Sequence, residues 1–148
     1  MTFKSDLNKF TKKTNAKTEQ ALRSAALELF GKVIIKSPVG NTSLWQTKYP
    51  PSDYKGGRFR ANWNTSIRMP DLSAARKPEK SAAAAKTQMR VALGQLKLGQ
   101  TIWFTNNLPY AKAIETGHST QAPIGVVKTT VKSWKSAINR AANKVKNK

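Results

Sequence analysis

The chain has 148 residues, 39% of them apolar, which suits one domain that buries roughly 70% of the surface its unfolded form exposes. It contains no cysteine, which excludes disulfides, thiol nucleophiles and cysteine-ligated zinc. With 27 Lys and Arg against 7 Asp and Glu, the formal charge is +20, an imbalance that predicts an anionic partner: nucleic acid, an acidic protein ring or an anionic membrane.

At the N-terminus, Lys4, Asp6 and Lys9 interrupt the apolar residues, so no secretory signal is expected. No apolar run approaches the ~18 residues that would span a bilayer, and no membrane partner is expected. The first long helix is predicted over about Asn15 to Lys36, where Leu22, Ala26, Leu29 and Val33 form a stripe widened by Phe30 and Ile34. Ser37-Pro38 ends it, because proline disfavours helix in the residue before it. Phe3, Leu7 and Phe10 share a helical spacing, but a polar stretch separates them from the main stripe. Residues 1–14 therefore read as an arm, with Ser5 and Asn15 as candidate N-caps.

Residues 37–57 read as a long loop dense in Pro, Gly, Ser and Asn. Leu44, Trp45, Tyr49 and Tyr54 within it favour a packed, functional loop with buried aromatics. Residues 58–69 alternate: Phe59, Ala61, Trp63, Thr65 and Ile67 on one face, Arg58, Arg60, Asn62, Asn64 and Arg68 on the other. That pattern predicts a half-buried strand with a basic outer face.

Pro70 to Pro78 reads as a linker or the tip of a hairpin. Glu79 to Leu96 reads as a helix, with Thr87 to Leu93 as an alternative strand. Gln100 to Asn106 is a strand, Pro109 opens a short helix over Tyr110 to Thr116, and Gly117 stops it. The last helix is predicted from Val126 to about Lys144, with Val127, Val131, Trp134, Ile138, Ala141 and Val145 as its apolar stripe. The fold class is α+β in a single domain over residues 1–148: a long N-terminal helix, a small antiparallel sheet, and a C-terminal helix packed on the sheet. Trp63, Trp103 and Trp134 are the expected core tryptophans.

Little in the chain suggests catalysis. His118 is the one histidine, and no motif beside it marks an activated serine; Glu115 is its only nearby carboxylate. The acids Asp6, Glu19, Glu28, Asp53, Asp71, Glu79 and Glu115 lie far apart, without the pairing a two-metal nuclease needs. Gly56-Gly57-Arg58 lacks the Lys-Ser/Thr of a phosphate-binding loop. The expectation is a protein that is no enzyme and needs no metal or cofactor. Arg58, Phe59, Arg60 and Trp63 interleave cations with rings, as do Lys132 and Trp134, but the rings lie on apolar faces and read as core. Lys128, Lys132, Lys135 and Arg140 on the last helix are the candidates for facing DNA or another anion.

Two segments carry a family likeness. The first runs Val33-Ile34-Ile35-Lys36-Ser37-Pro38-Val39 and resumes, after an insertion over Asn41 to Lys55, as Gly57-Arg58-Phe59-Arg60-Ala61-Asn62-Trp63. The second joins Asn106-Asn107-Leu108-Pro109-Tyr110-Ala111 to Glu115-Thr116-Gly117 and then Gln121-Ala122-Pro123-Ile124-Gly125. Together they resemble the minor tail-component family of long-tailed bacteriophages, described as tail-completion, neck or head–tail joining proteins, over about Leu22 to Ala142. The motif positions are Ser37, Pro38, Arg60, Trp63, Asn106, Pro109, Tyr110, Glu115, Gly117, Gln121, Pro123 and Gly125. As residues they suit a scaffold: Pro109 opens a helical turn, Gly117 permits a reversal, and Glu115 suits a cap or salt bridge.

The resemblance implies a structural virion protein of the neck or tail, made in the host cytoplasm and assembled as a ring, hexameric like phage tails. Its implied partners are further copies of itself, the neighbouring connector or stopper, and tail-terminator or tube proteins, with non-specific contact to packaged DNA. The competing expectation is a non-specific nucleic-acid-binding protein, which rests on charge alone.

Overall fold

The structure, a computed structural model, describes residues 2–45, 49 and 51–147. Helix α1 spans Phe3–Lys36 without a break. Thr2 caps it, its hydroxyl accepting from the Ser5 N–H at 3.4 Å, with Asp6 in the first turn. The expected caps Ser5 and Asn15 thus lie inside the helix. No Pro or Gly interrupts Thr11 to Gln20, and its Lys, Ala, Glu and Gln residues are good helix formers. The candidate arm is the projecting start of α1 rather than a separate segment, and Phe3 and Phe10 are 82% and 68% exposed.

After α1 come a 3-10 turn at Thr42–Leu44, a one-turn helix α2 (Arg58–Ala61), strand β1 (Asn64–Ile67), helix α3 (Ala83–Gln95) and strand β2 (Ile102–Thr105). Three short helices close the chain: α4 (Ala111–Glu115), α5 (Val127–Val131) and α6 (Trp134–Lys146). The strands pair antiparallel, Asn64 opposite Thr105 and Ile67 opposite Ile102. The architecture is α+β, with the long first helix, the small antiparallel sheet and the C-terminal helix that the element pattern predicts.

The core is organised by rings. Phe104 of β2 lies between Phe30 of α1 (centroids 4.2 Å apart, planes 5° apart) and Trp63 (4.6 Å, 6°), and Phe59 meets Trp63 edge-on at 5.7 Å. Ile34, Met89, Leu93 and Val126 close around this stack. On the other side of α1, Ala25 and Leu29 pack against Ala137 and Ala141 of α6. Alanines on both helices let the backbones approach closely. The C-terminal helical segment meets the sheet at α5, where Val127, Thr130 and Trp134 line a cavity of about 250 Å³ with Ile102 and Phe104.

Several expectations are corrected. The strand predicted over residues 58–69 begins only at Asn64, because Arg58–Ala61 form a helical turn. Phe59 and Trp63 share a side in either geometry, since a spacing of four is in phase for both periods. The outer face is basic only in part: Arg58 and Arg68 are exposed, but Asn62 and Asn64 are 1% exposed. Asn62 donates to Arg58 O (2.8 Å) and Arg76 O (3.0 Å), and Asn64 donates to Ser73 O (2.6 Å).

Residues 70–78 form no hairpin tip, for α3 stands between the two strands. This segment is bonded to the sheet and to the turn before it: Thr105 donates to Asp71 O (2.6 Å), and Arg76 donates to Ala61 O (3.1 Å) and Trp63 O (2.7 Å). Thr87 to Leu93 is helix, not strand, and α3 starts at Ala83, where the Glu79 carboxylate accepts the Ala83 N–H at 3.1 Å.

The predicted last helix is two helices. At the break, the hydroxyls of Thr129, Thr130 and Ser133 donate back to carbonyls one turn earlier, in competition with the backbone ladder. The buried face also differs from the predicted stripe. Thr130, Ala137, Ala141 and Val145 are buried, while Val131 is 59% and Trp134 42% exposed. Trp103 is also 40% exposed, so of the three expected core tryptophans only Trp63, at 5%, is buried. The loop aromatics are not buried: Tyr49 and Tyr54 are 89% and 38% exposed.

Denaturant unfolding separates these tryptophans. Trp63→Ala should cost about 3–5 kcal/mol, whereas Trp134→Ala should cost roughly 1 kcal/mol or less. Equal losses would refute this assignment of the core.

Candidate interaction site

Most of the motif residues converge beyond the C-terminal end of α1. Ser37 is fully buried there. Its hydroxyl donates to Val33 O and accepts the Trp63 indole N–H, each at 2.7 Å. The last carbonyls of a helix lack intrahelical partners, and Arg60 supplies them. Its guanidinium donates to Ser37 O (3.0 and 2.7 Å), Ile35 O (2.9 Å) and Lys80 O (3.3 Å). Burial pulls the Arg60 pKa below the ordinary arginine value, though a guanidinium stays charged at any working pH. Arg60, expected on an exposed basic face, is a helix cap. Pro38 then turns the chain toward Val39, whose N–H and C=O are both held by the Gln121 side-chain amide (3.2 and 2.9 Å).

The second motif segment joins the same framework. Asn106 donates to Phe59 O at 2.9 Å. Pro109 is exposed in the turn leading into α4, and the Tyr110 ring tilts against Phe59 with centroids 6.3 Å apart. Burial raises the Tyr110 pKa, opposed by the positive charge of Arg58.

Glu115 is the start of α5 in chemical terms. Its carboxylate accepts the N–H groups of Val126 (2.9 Å), Val127 (3.0 Å) and Lys128 (2.7 Å). Burial pushes its pKa up, but the three N–H donors and the Lys128 charge together outweigh it and hold the group below the ordinary value. Gly125 permits this closure: its φ is +82°, and a Cβ there would lie 2.4 Å from Glu115 O. Gly117 reverses the chain against the Pro123 carbonyl.

The anion-facing candidates divide. Lys128, Lys132 and Lys135 are exposed on α5 and α6. Arg140 instead pairs with Glu28, as Lys32 does at 2.6 Å, and so ties α6 to α1. A further network was not visible in the sequence. Gln88 accepts from Thr65 N–H (3.1 Å) and Arg76 (2.6 Å) and donates to Asp71 (3.0 Å), sealing the outer edge of β1. No spacing signals it, because its members belong to a strand, an irregular segment and a helix. Among the described residues no group of three or more His, Cys, Asp or Glu is placed to hold a metal ion, and no helix is long and apolar enough to cross a membrane. No protein-family model, curated protein or solved structure matches the chain.

Glu115→Gln should lower stability by about 1–2 kcal/mol at neutral pH, because the charged cap is weakened. A carboxyl with a depressed pKa stabilises the fold above its unfolded value, near 4.5, and that stability is lost as pH falls through the folded value. The gap between wild type and Glu115→Gln should therefore close below pH 4.5, as followed by thermal unfolding across pH.

Proposed function

We propose that the chain is a structural virion protein of a long-tailed phage, a subunit of a ring that completes the tail and joins it to the head connector around the DNA exit path. The observation that carries this reading is one-sided electrostatics. Glu19, Glu28, Asp71, Glu79 and Glu115 all engage partners within the chain. Among the described residues the ion-paired cations are Arg23, Lys32, Lys97 and Arg140. Lys4, Lys9, Lys12 and Lys13 on the arm, and Lys128, Lys132 and Lys135 on α5 and α6, stay exposed without such pairs. Cations left over in this way suit packaged DNA or an acidic neighbouring ring.

The motif residues support the same reading by their work: they cap helices, close turns and hold a loop, and none forms a nucleophile–base pair. A hexamer, the connector or stopper, and the tail-terminator or tube partners are carried over from the family resemblance. The same surplus of charge favours a second reading, a non-specific nucleic-acid-binding protein.

Duplex DNA should bind without sequence preference, its affinity falling about 10³–10⁵-fold between roughly 50 and 200 mM salt if some 6–10 phosphates are contacted. Both readings share that behaviour and part on mutation. Replacing Lys128, Lys132 and Lys135 by Gln should leave heads and tails intact but yield particles that join poorly or leak DNA. Normal joining, with loss of the non-specific DNA binding alone, would sink the joining role.

Assembly offers an independent check. Identical subunits close a ring through head-to-tail contacts, so mass measurement of the particle-bound form should give a cyclic oligomer. A stable two-fold dimer would refute it.

A further inference from the structure

Between the loop after α1, helix α2 and helix α4 run two adjoining cavities of about 490 and 520 Å³. Both are walled by Gly40, Asn41, Leu44, Tyr54 and Gln121, so they form one groove. Lys80 lies at one cavity, and Arg58 and His118 at the other, while among the described residues no Asp or Glu lines either. Two acids in the neighbouring segments are engaged elsewhere: Glu115 holds the start of α5, and Glu79 accepts from Ser81 and Ala83. Asp53, next to Tyr54, is exposed and lines neither cavity.

The middle of the groove is aromatic. Trp45 meets Tyr54 edge-on, with centroids 4.5 Å apart and planes at 68°. Leu44 and Tyr110 are 58% and 41% exposed, which leaves apolar surface uncovered beside them. The floor is fixed, because Gln121 clamps both backbone groups of Val39. A groove held open in this way needs little reordering to receive a ligand.

We propose that this groove seats an extended acidic segment of a partner protein, anchored by an aromatic or large apolar side chain between Trp45, Tyr54 and Tyr110. Carboxylates flanking the anchor meet Arg58 and His118 on one side and Lys80 on the other. Charge complementarity selects this occupant: among the described residues the lining holds three basic side chains and no acid, on a chain of formal charge +20. Aromatic and arginine side chains in a partly desolvated groove are the usual energetic anchors of protein interfaces. A single nucleic-acid strand fits less well, since its charge recurs at every nucleotide and needs cations along the whole track. Groove binding does not require ring closure, so its failure and that of the joining role are separate results.

Random peptides displayed on a library and selected on the full-length protein at about 0.15 M salt test the proposal. The selected peptides should carry Asp or Glu on both sides of an aromatic or large apolar residue. Their affinity, read by fluorescence anisotropy, should fall about tenfold or more in Arg58→Glu, whose side chain is exposed.

Gly40→Ala acts on the groove without touching its charge, because a Cβ there would lie 1.7 Å from the Tyr54 hydroxyl and must evict the ring. It should weaken the same peptides, while Lys132→Gln and Lys135→Gln should not. Thermal unfolding of each variant confirms that it folds, and Arg58→Gln stands in if Arg58→Glu does not. Selected peptides without acids, no selection at all, or binding indifferent to both Arg58 substitutions would overturn the proposal. So would a single-stranded oligonucleotide that occupies the groove more tightly than the peptides.

Discussion

The Trp63 indole is the point on which the rest of the structure depends. One face stacks on Phe104, which stacks in turn on Phe30, so one column of rings joins α1, β2 and the turn before β1. Its N–H is spent on Ser37, whose hydroxyl is itself bonded back into α1. A buried indole without a partner for its N–H would be costly, and this one finds it at the helix end where the chain must turn. Arg60, three residues earlier, satisfies the carbonyls at that same end. Two side chains of one short segment thus settle where α1 stops and where the sheet begins.

The charges divide by role. Carboxylates are structural: Glu28 binds α6 to α1, Asp71 and Glu79 order the segment before α3, and Glu115 begins α5. Most of the lysines are left to face outward. A protein built this way can lose or gain surface cations at small cost to its fold, whereas Glu28, Asp71, Glu79 and Glu115 are each tied to a particular helix end or seam. Its surface charge can therefore change with little effect on its architecture.

The parts legible in the sequence were those decided by local physics. Proline disfavours helix in the residue before it, so Ser37-Pro38 marks a helix end locally, and the spacing of Ala26, Leu29 and Val33 marks a buried face without knowledge of what covers it. Where two geometries share a phase, as for Phe59 and Trp63, the pattern could not choose between strand and helical turn. Spacing places Trp134 on a stripe of large apolar residues, whereas the face of α6 that packs on α1 is lined by the small Ala137 and Ala141. Asn62 and Asn64 looked like solvent-facing residues because their partners, the backbone groups of Arg76 and Ser73, lie in an irregular stretch with no periodic signal. At the candidate site the motif residues could be named in advance. That Arg60 points into the fold, and Arg140 across to Glu28, emerges only from three-dimensional proximity.

The projecting start of α1 has a mechanical consequence. An isolated helix of its length is marginal in water, because nucleation is unfavourable. Here the packed half of α1 supplies the nucleus, and the exposed turns propagate from it. At 1.5 Å per residue, the turns before the packed region reach about 25 Å from the body. A flexible tether of equal length would spread its tip over a broad volume, and the local concentration it offers a neighbour would fall accordingly. A helix instead holds Phe3, Leu7 and Phe10 at a set distance and bearing, so any molecule that grips them is spaced from the domain by geometry rather than by chance encounter.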